Sequence, residues 1–576
     1  MKPTLLFLIL CLTILAGSGC AGQVLPGELS KVFPFIVQAT RTPFLPVPPT
    51  PSPTVSPTPT VAPSPTPEPV REVLAWADAS LPPALLAGLN LPDGVRLVSA
   101  PEQANLEVGA IRGQAEQGVT WVYALVAPFP TLIDNVSLED VQRAWRGEET
   151  QPFGGVPLRM SAATRAAFSA WWGPAASGQA DNMLRVESED SLLESAWAER
   201  PAWAIVPFED LTPRWKVLSV DGLSPLDPQL SVRDYPLALW FGYSASDPVL
   251  TLLNSRLSPG GSLFPAGNRD TSKMTVLVMT GVTALARATA SRMDLNGSTY
   301  PARDIGDWLR DADLTHISNE VSFNPECPLA NPNATSMQFC SRPEYIELLD
   351  FIGADIIELS GNHNNDWGRQ ASSYTLEQYK QRGWLIFAGG ANADEARQAR
   401  TIEHNGNRLA FIGCNPVGPE SAWATQTLPG AAKCDYDDMI ETVQSLRQEG
   451  ILPIVTFQYN EYYIYKPSET QQRDFRRLSE AGAVIVSGSQ AHFPQTFEFY
   501  GSGFIHYGLG NLFFDQMDIP VKGTRREFID RHVFYNGAHI STELLTAMLE
   551  DYARPRPMTI EERQLFLAEI FAAAGW

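Results

Sequence analysis

Between residues 271 and 535 the chain repeats one device six times, a short apolar run followed by polar residues. The runs are Thr275–Thr280, Leu314–Ser318, Ala354–Ser360, Leu409–Gly413, Ile451–Phe457 and Ala483–Ser487, all rich in Val, Ile and Leu. Runs this short and this apolar suit strands that are covered on both faces. Amphipathic stretches between several of them, such as "RPEYIELLDFIG" and "SSYTLEQYKQRG", supply helical covers. The alternation predicts an α/β domain built on a largely buried sheet.

Open α/β sheets bind ligands beyond the carboxyl ends of their strands. Polar residues gather at those places here. Glu320 follows the second run, and Asn362, His363 and Asp366 follow the third. Glu461 follows the fifth run, and His492 follows the sixth, ahead of "YGLGNLFFDQ" with Asn511 and Asp515. Glu, Asn and His converging from separate strand ends suit a divalent Mn, Zn or Fe ion. A Gly- and Asn-rich loop such as "GNHNNDWG" also suits a plain turn.

The N-terminus reads "MKPTLLFLILCLTILAGSGCAGQ". Lys2, an apolar core from Leu5 to Leu15 and small residues before Cys20 resemble a bacterial lipoprotein signal, with Gly17 replacing the usual Leu. On that reading residues 1–20 are the signal and Cys20 carries the lipid. The chain is then expected to be extracytoplasmic and held to the membrane by its anchor. Residues 21–70 form a stalk whose part from 43 to 70, "PFLPVPPTPSPTVSPTPTVAPSPTPEPV", favours extended polyproline II and buries no core. Apart from Cys11 and Cys20, four cysteines remain. In an exported chain they suggest disulfides, and of three possible pairings the local ones are favoured, Cys327 with Cys340 and Cys414 with Cys434. A net charge of −22 argues against nucleic acid as a partner.

Residues 71–260 mix expected strands ("EVLAWA", "WVYALVAPF", "RPAWAIVPF", "YPLALWFGYS") with expected helices ("LEDVQRAWRG", "SAATRAAFSAWWG"). "SLEDVQRAWRGEE" and "RDYPLALWFGYS" resemble pieces of two-lobed periplasmic solute-binding proteins of the phosphate-binding branch. Ser161 reads either as a helix cap or as part of an anion site. Residues 536–576 read as a helical tail, "TELLTAMLEDY" and "TIEERQLFLAEIFAAAGW".

Five segments of the 275–517 region together resemble the poly-γ-glutamate capsule-synthesis (CapA) family. They are "DADLTHISNEVSF", "SGNHNNDWG", "FQYNEYYIYKPSETQ", "AGAVIVSGSQAHFPQ" and "YGLGNLFFDQ", in the family's order. The resemblance implies a calcineurin-like metallophosphatase αββα fold for residues 271–535. It also implies roles for Glu320, Asn362, His363, Asp366, Gly368, Glu461, Tyr462, Pro467, Gln471, Gly488, His492 and Gln495. Departures are as informative. Val282 stands where the family has a metal-binding Asp, and Ser318 replaces its Asn. Ser489 and Gln490 replace two His, and a third His falls on Phe457 or, with a slip of one, on Gln458. Such a depleted shell is expected to hold at most one divalent metal, through Glu320 and His363 first and His492 and Asn362 second. In a hydrolase, His363 and Asp366 would act as ligand and orienter. In a cleft without metal, Gln458, Glu461, Ser489, Gln490 and Asn511 would bind a polar ligand, and a purely structural network is the third reading. The implied role lies in synthesis, export or attachment of poly-γ-glutamate or another anionic polymer. The alternative is a non-catalytic envelope protein that captures an anion or polymer.

Overall fold

A computed structural model describes residues 71–111, 118–175 and 184–576. These lie in one compact unit, Pro69–Trp576. Cys20, the signal and the stalk fall outside the described residues. No helix among the described residues is long and apolar enough to cross a membrane.

The first part is a ten-stranded sheet organised around the long strand Gly118–Pro128. Its first half pairs with Ala238–Ala245, and its second half pairs with Trp203–Pro207 and Trp215–Val220. One strand thus serves two groups of strands, a two-lobed plan. Helices Leu138–Trp145 and Ala162–Trp172 lie where the sequence pattern puts them, and Ser161 caps the second by accepting from Thr164 N–H.

The second part has two sheets face to face. The nine-stranded sheet runs Leu385–Phe387, Ile356–Glu358, Leu314–Asn319, Met274–Thr280, Arg526–Tyr535, Ala538–Glu550, Arg554–Pro557, with Val282–Thr283 and Asn511–Phe513 paired off this path. The six-stranded sheet runs Arg400–His404, Asn407–Cys414, Leu452–Gln458, Ile485–Ser489, Gly503–His506, Phe497–Tyr500. Leu277, Leu314 and Phe528 of the first meet Phe411, Ile454 and Phe504 of the second in one apolar layer. Helices Arg287–Asn296, Ile346–Phe351 and Gly368–Arg382 cover the outer face of the first sheet. Tyr436–Gln448 and Glu469–Ala481 cover the second. The layers run α, β, β, α. Met274, Val276, Val533 and Ile540 also pack into the core of the 71–260 region, so the two parts share buried apolar surface. Both local disulfides, Cys327–Cys340 and Cys414–Cys434, are formed.

The tail departs from the sequence expectation. "TELLTAMLE" of the first stretch belongs to the strand Ala538–Glu550, the following Asp551 and Tyr552 turn, and only Ile560–Ala574 is helical. The cause is the turn before it. Asn536 and Gly537 take φ of 50° and 79°, the pair of left-handed conformations that a two-residue hairpin needs. The turn sets the register of Tyr535 against Ala538, and ten residue pairs zip behind it. Pairing and burial override the helix preference of Leu, Met, Ala and Glu. The helix that follows begins at a capping box between Thr559 and Glu562.

Candidate functional site

The polar cluster forms where four strands end. Leu314–Asn319 delivers Glu320, Ile356–Glu358 leads into the Asn362–His363 loop, and the other two strands end on Gln458 and Ser489. Parallel register sets Gln458 against Ser489. A bridge between Val321 and His363 draws the loop beside Glu320. Strand alternation settles the slip left open by the sequence: Phe457 turns into the outer core against Phe475, and Gln458 faces the cluster.

Gln458 is the hub. Its Nε2 donates to Glu320 Oε1 at 3.2 Å, to Asn362 Oδ1 at 3.1 Å and to the side-chain oxygen of Gln490. Its Oε1 accepts from the Ser489 hydroxyl at 2.9 Å. Glu320, Gln458, Ser489 and Gln490 are buried, while Asn362 and His363 are half-buried and form the solvent side. An amide nitrogen carries two hydrogens, so three oxygens share two donors.

Beside this hub, His363 Nδ1 lies 2.6 Å from Asp366 Oδ2, which also accepts from Phe339 N–H at 2.8 Å. Burial alone would lower the pKa of His363. The hydrogen bond to Asp366 and the negative charges of Glu320 and Asp366 outweigh burial and the opposing Arg287, and raise it. His492 has its own partners: its Nδ1 meets Asn511 Oδ1 at 2.8 Å, and its ring lies against Phe514. Glu461 stands apart from the hub. It is exposed and takes a hydrogen bond from the Tyr463 hydroxyl, because the chain leaves the sheet right after Gln458.

Sequence reasoning missed Arg287. Its guanidinium grips Asp515 with two hydrogen bonds and lies 4.7 Å and 5.0 Å from the ring centres of Phe339 and Phe514. Asp515 also accepts from Ala288 N–H, so it caps the helix Arg287–Asn296 from outside. Phe339 packs at a tilt against His363 and Phe514 against His492, which ties the two histidine groups to one cation. Arg287, Gln490 and His492 all have φ in the left-handed region, at 47°, 75° and 49°. Such backbone costs on the order of 1 kcal/mol or more per residue and persists only where packing enforces it.

The side chains do not fit a two-metal centre. Among the described residues no three His, Cys, Asp or Glu converge in metal-holding geometry. The oxygens of Glu320, Asn362 and Gln490 face an amide N–H donor where a cation would need them. Val282 is fully buried in register between Ser318 and Asn511, and it brings no carboxylate.

Residues 276–516 match the model of the family described as bacterial capsule synthesis protein PGA_cap. The chain is 23% identical to "Capsule biosynthesis protein CapA" of Bacillus anthracis, over 53% of this chain and 75% of that protein. It is 25% identical to "PGA biosynthesis protein CapA" of Bacillus subtilis (strain 168), over 30% and 46%; that match spans less than half of the relative. Among solved structures, a 5'-nucleotidase precursor from Thermus thermophilus aligns at 13% identity and TM-score 0.31, over 52% of this chain and 59% of the other. At that score the architecture stands on its own strand order.

Proposed function

Because residues 276–516 belong to the bacterial capsule synthesis protein family, we propose that the chain serves the building or handling of an anionic envelope polymer of the poly-γ-glutamate kind, as a binding module. One observation carries the reading. Gln458 Nε2 sits among the Glu320, Asn362 and Gln490 oxygens, and the buried Val282 at the neighbouring strand end brings no carboxylate. Three strained residues held around this network support a preserved geometry. The curated relatives, named for capsule or PGA biosynthesis, supply the polymer class.

Metal analysis tests the reading. Purified protein is expected to hold no stoichiometric ion, and Mn, Zn or Fe is expected to leave its thermal midpoint unchanged. The double variant Val282→Asp with Gln458→His should gain metal-dependent stabilisation, since it adds an anionic and an imidazole donor at the strand ends. One tightly held ion per wild-type chain would replace the binding module with a hydrolase. The second reading, a one-metal hydrolase, draws on the His363–Asp366 pair, which leaves His363 Nε2 as a free donor.

The location belongs to the same proposal. Cys20 would carry the acyl chains of an exported lipoprotein, and more than one chain is needed for stable anchoring. Cys20→Ala is expected to move the protein from the membrane fraction to the soluble one. A variant that still pellets with membranes would refute the anchor.

A further inference from the structure

A second cleft, of about 620 Å³, lies along the edge strand Phe497–Tyr500 of the six-stranded sheet. Its lining reverses the charge of the whole chain. The sequence holds 64 Asp and Glu against 42 Lys and Arg. Around this cleft Arg214, Lys466 and Arg476 face a single acidic side chain, Glu498. Arg476 grips Glu498 through two hydrogen bonds of 2.6 and 2.7 Å, and Arg214 pairs with Glu194 outside the cleft. Lys466 is exposed and has no hydrogen bond or ion pair among the described residues. A cationic patch on an acidic protein concentrates anions locally.

The wall beside these cations is aromatic. Trp576 stacks on Phe499 with centres 6.0 Å apart, and Trp197 meets both edge-on at 5.8 and 5.7 Å. All three rings are half-buried, so part of each stays open to the cleft. Flat ring faces take methylene groups and amide planes, and their edges leave the cations clear for carboxylates. Trp197 and Arg214 come from the 71–260 region, whereas Lys466, Arg476, Phe499 and Trp576 come from the two-sheet region and its final helix. An occupant would therefore touch both parts of the chain.

We infer that this cleft binds a linear polyamide carrying one carboxylate on each unit. The choice of a polyamide rests on the capsule role proposed above, while the cationic, ring-lined site is independent of it. A synthetic γ-linked glutamate decamer, titrated into the purified full chain with tryptophan fluorescence and calorimetry as readouts, tests it. The decamer should bind and quench fluorescence, more weakly as salt rises. Lys466→Glu, an exposed change that breaks no contact, should weaken binding by about tenfold or more. Arg233→Glu, the same charge reversal at an exposed residue outside the cleft lining, should leave it unchanged. Equal binding by Lys466→Glu and wild type would overturn the site, as would no binding at all. Polygalacturonate binding as tightly as the decamer would overturn the polyamide assignment. Loss of binding in Gln458→Ala with none in Lys466→Glu would move the polymer to the strand-end cluster, overturning this cleft while sparing the proposed function.

Discussion

Gly488→Ala is expected to destabilise the folded chain by about 3 kcal/mol or more. A Cβ at this position would stand 2.0 Å from the Tyr507 carbonyl oxygen and 2.8 Å from its carbon. Neither atom is free to retreat, since the same carbonyl accepts from Gln471 Nε2 at 2.8 Å. Gly488 lies beside Ser489, so any shift would also pull on the Gln458 hub. Urea unfolding measures the loss. A useful control is Gly537→Ala, where no atom lies within 4 Å and only the left-handed backbone is penalised. A loss at Gly488 no larger than at Gly537 would show that the close approach to Tyr507 relaxes without cost.

Glu527→Gln is expected to stabilise the protein at neutral pH and to do nothing near pH 4. Glu527 is fully buried in Arg526–Tyr535, and neither carboxyl oxygen has a hydrogen-bond partner. Burial pushes its pKa well above the carboxylate range, and the charge of Arg525 offsets only part of that. The folded state therefore keeps a proton that the unfolded chain releases near pH 4.3. The sign follows from linkage: the contribution of Glu527 is complete below the unfolded pKa and is lost as pH rises toward the folded one. Glutamine has the same shape and does not titrate. The two proteins should separate by about 1.4 kcal/mol for each pH unit above about 4.3, until the folded pKa is reached. Unfolding curves from pH 4 to pH 7 that stay parallel would exclude a buried, protonated Glu527.

The apolar runs of residues 275–487 were legible because a strand covered on both faces leaves an unbroken signature. Their polar successors were legible for the same reason: strand ends are where the chain must turn polar. The hub was harder to read. Gln458 looked like a gap in a pattern of histidines, and only its side-chain direction shows that it takes a cation's place among three oxygens. Arg287 was invisible because its partners, Asp515, Phe339 and Phe514, are far away in sequence and no local pattern joins them. Glu461 follows a strand closely, yet the loop carries it into solvent. The strand Ala538–Glu550 was misread through composition, although Asn536-Gly537 was there to announce a hairpin.

The hairpin Arg526–Tyr535 with Ala538–Glu550 also bears on how the chain folds as it emerges. Strand Met274–Thr280 has Arg526–Tyr535 as its antiparallel neighbour, and partners such as Thr280 and Ile529 lie about 250 residues apart in sequence. A chain made N-terminus first can close the sheet of residues 71–245 early. Met274–Thr280 must then wait, one flank unpaired, for most of the protein to arrive. An exposed apolar edge of that kind invites pairing with another chain. Folding of this protein should therefore be slow and concentration-sensitive until the late hairpin docks.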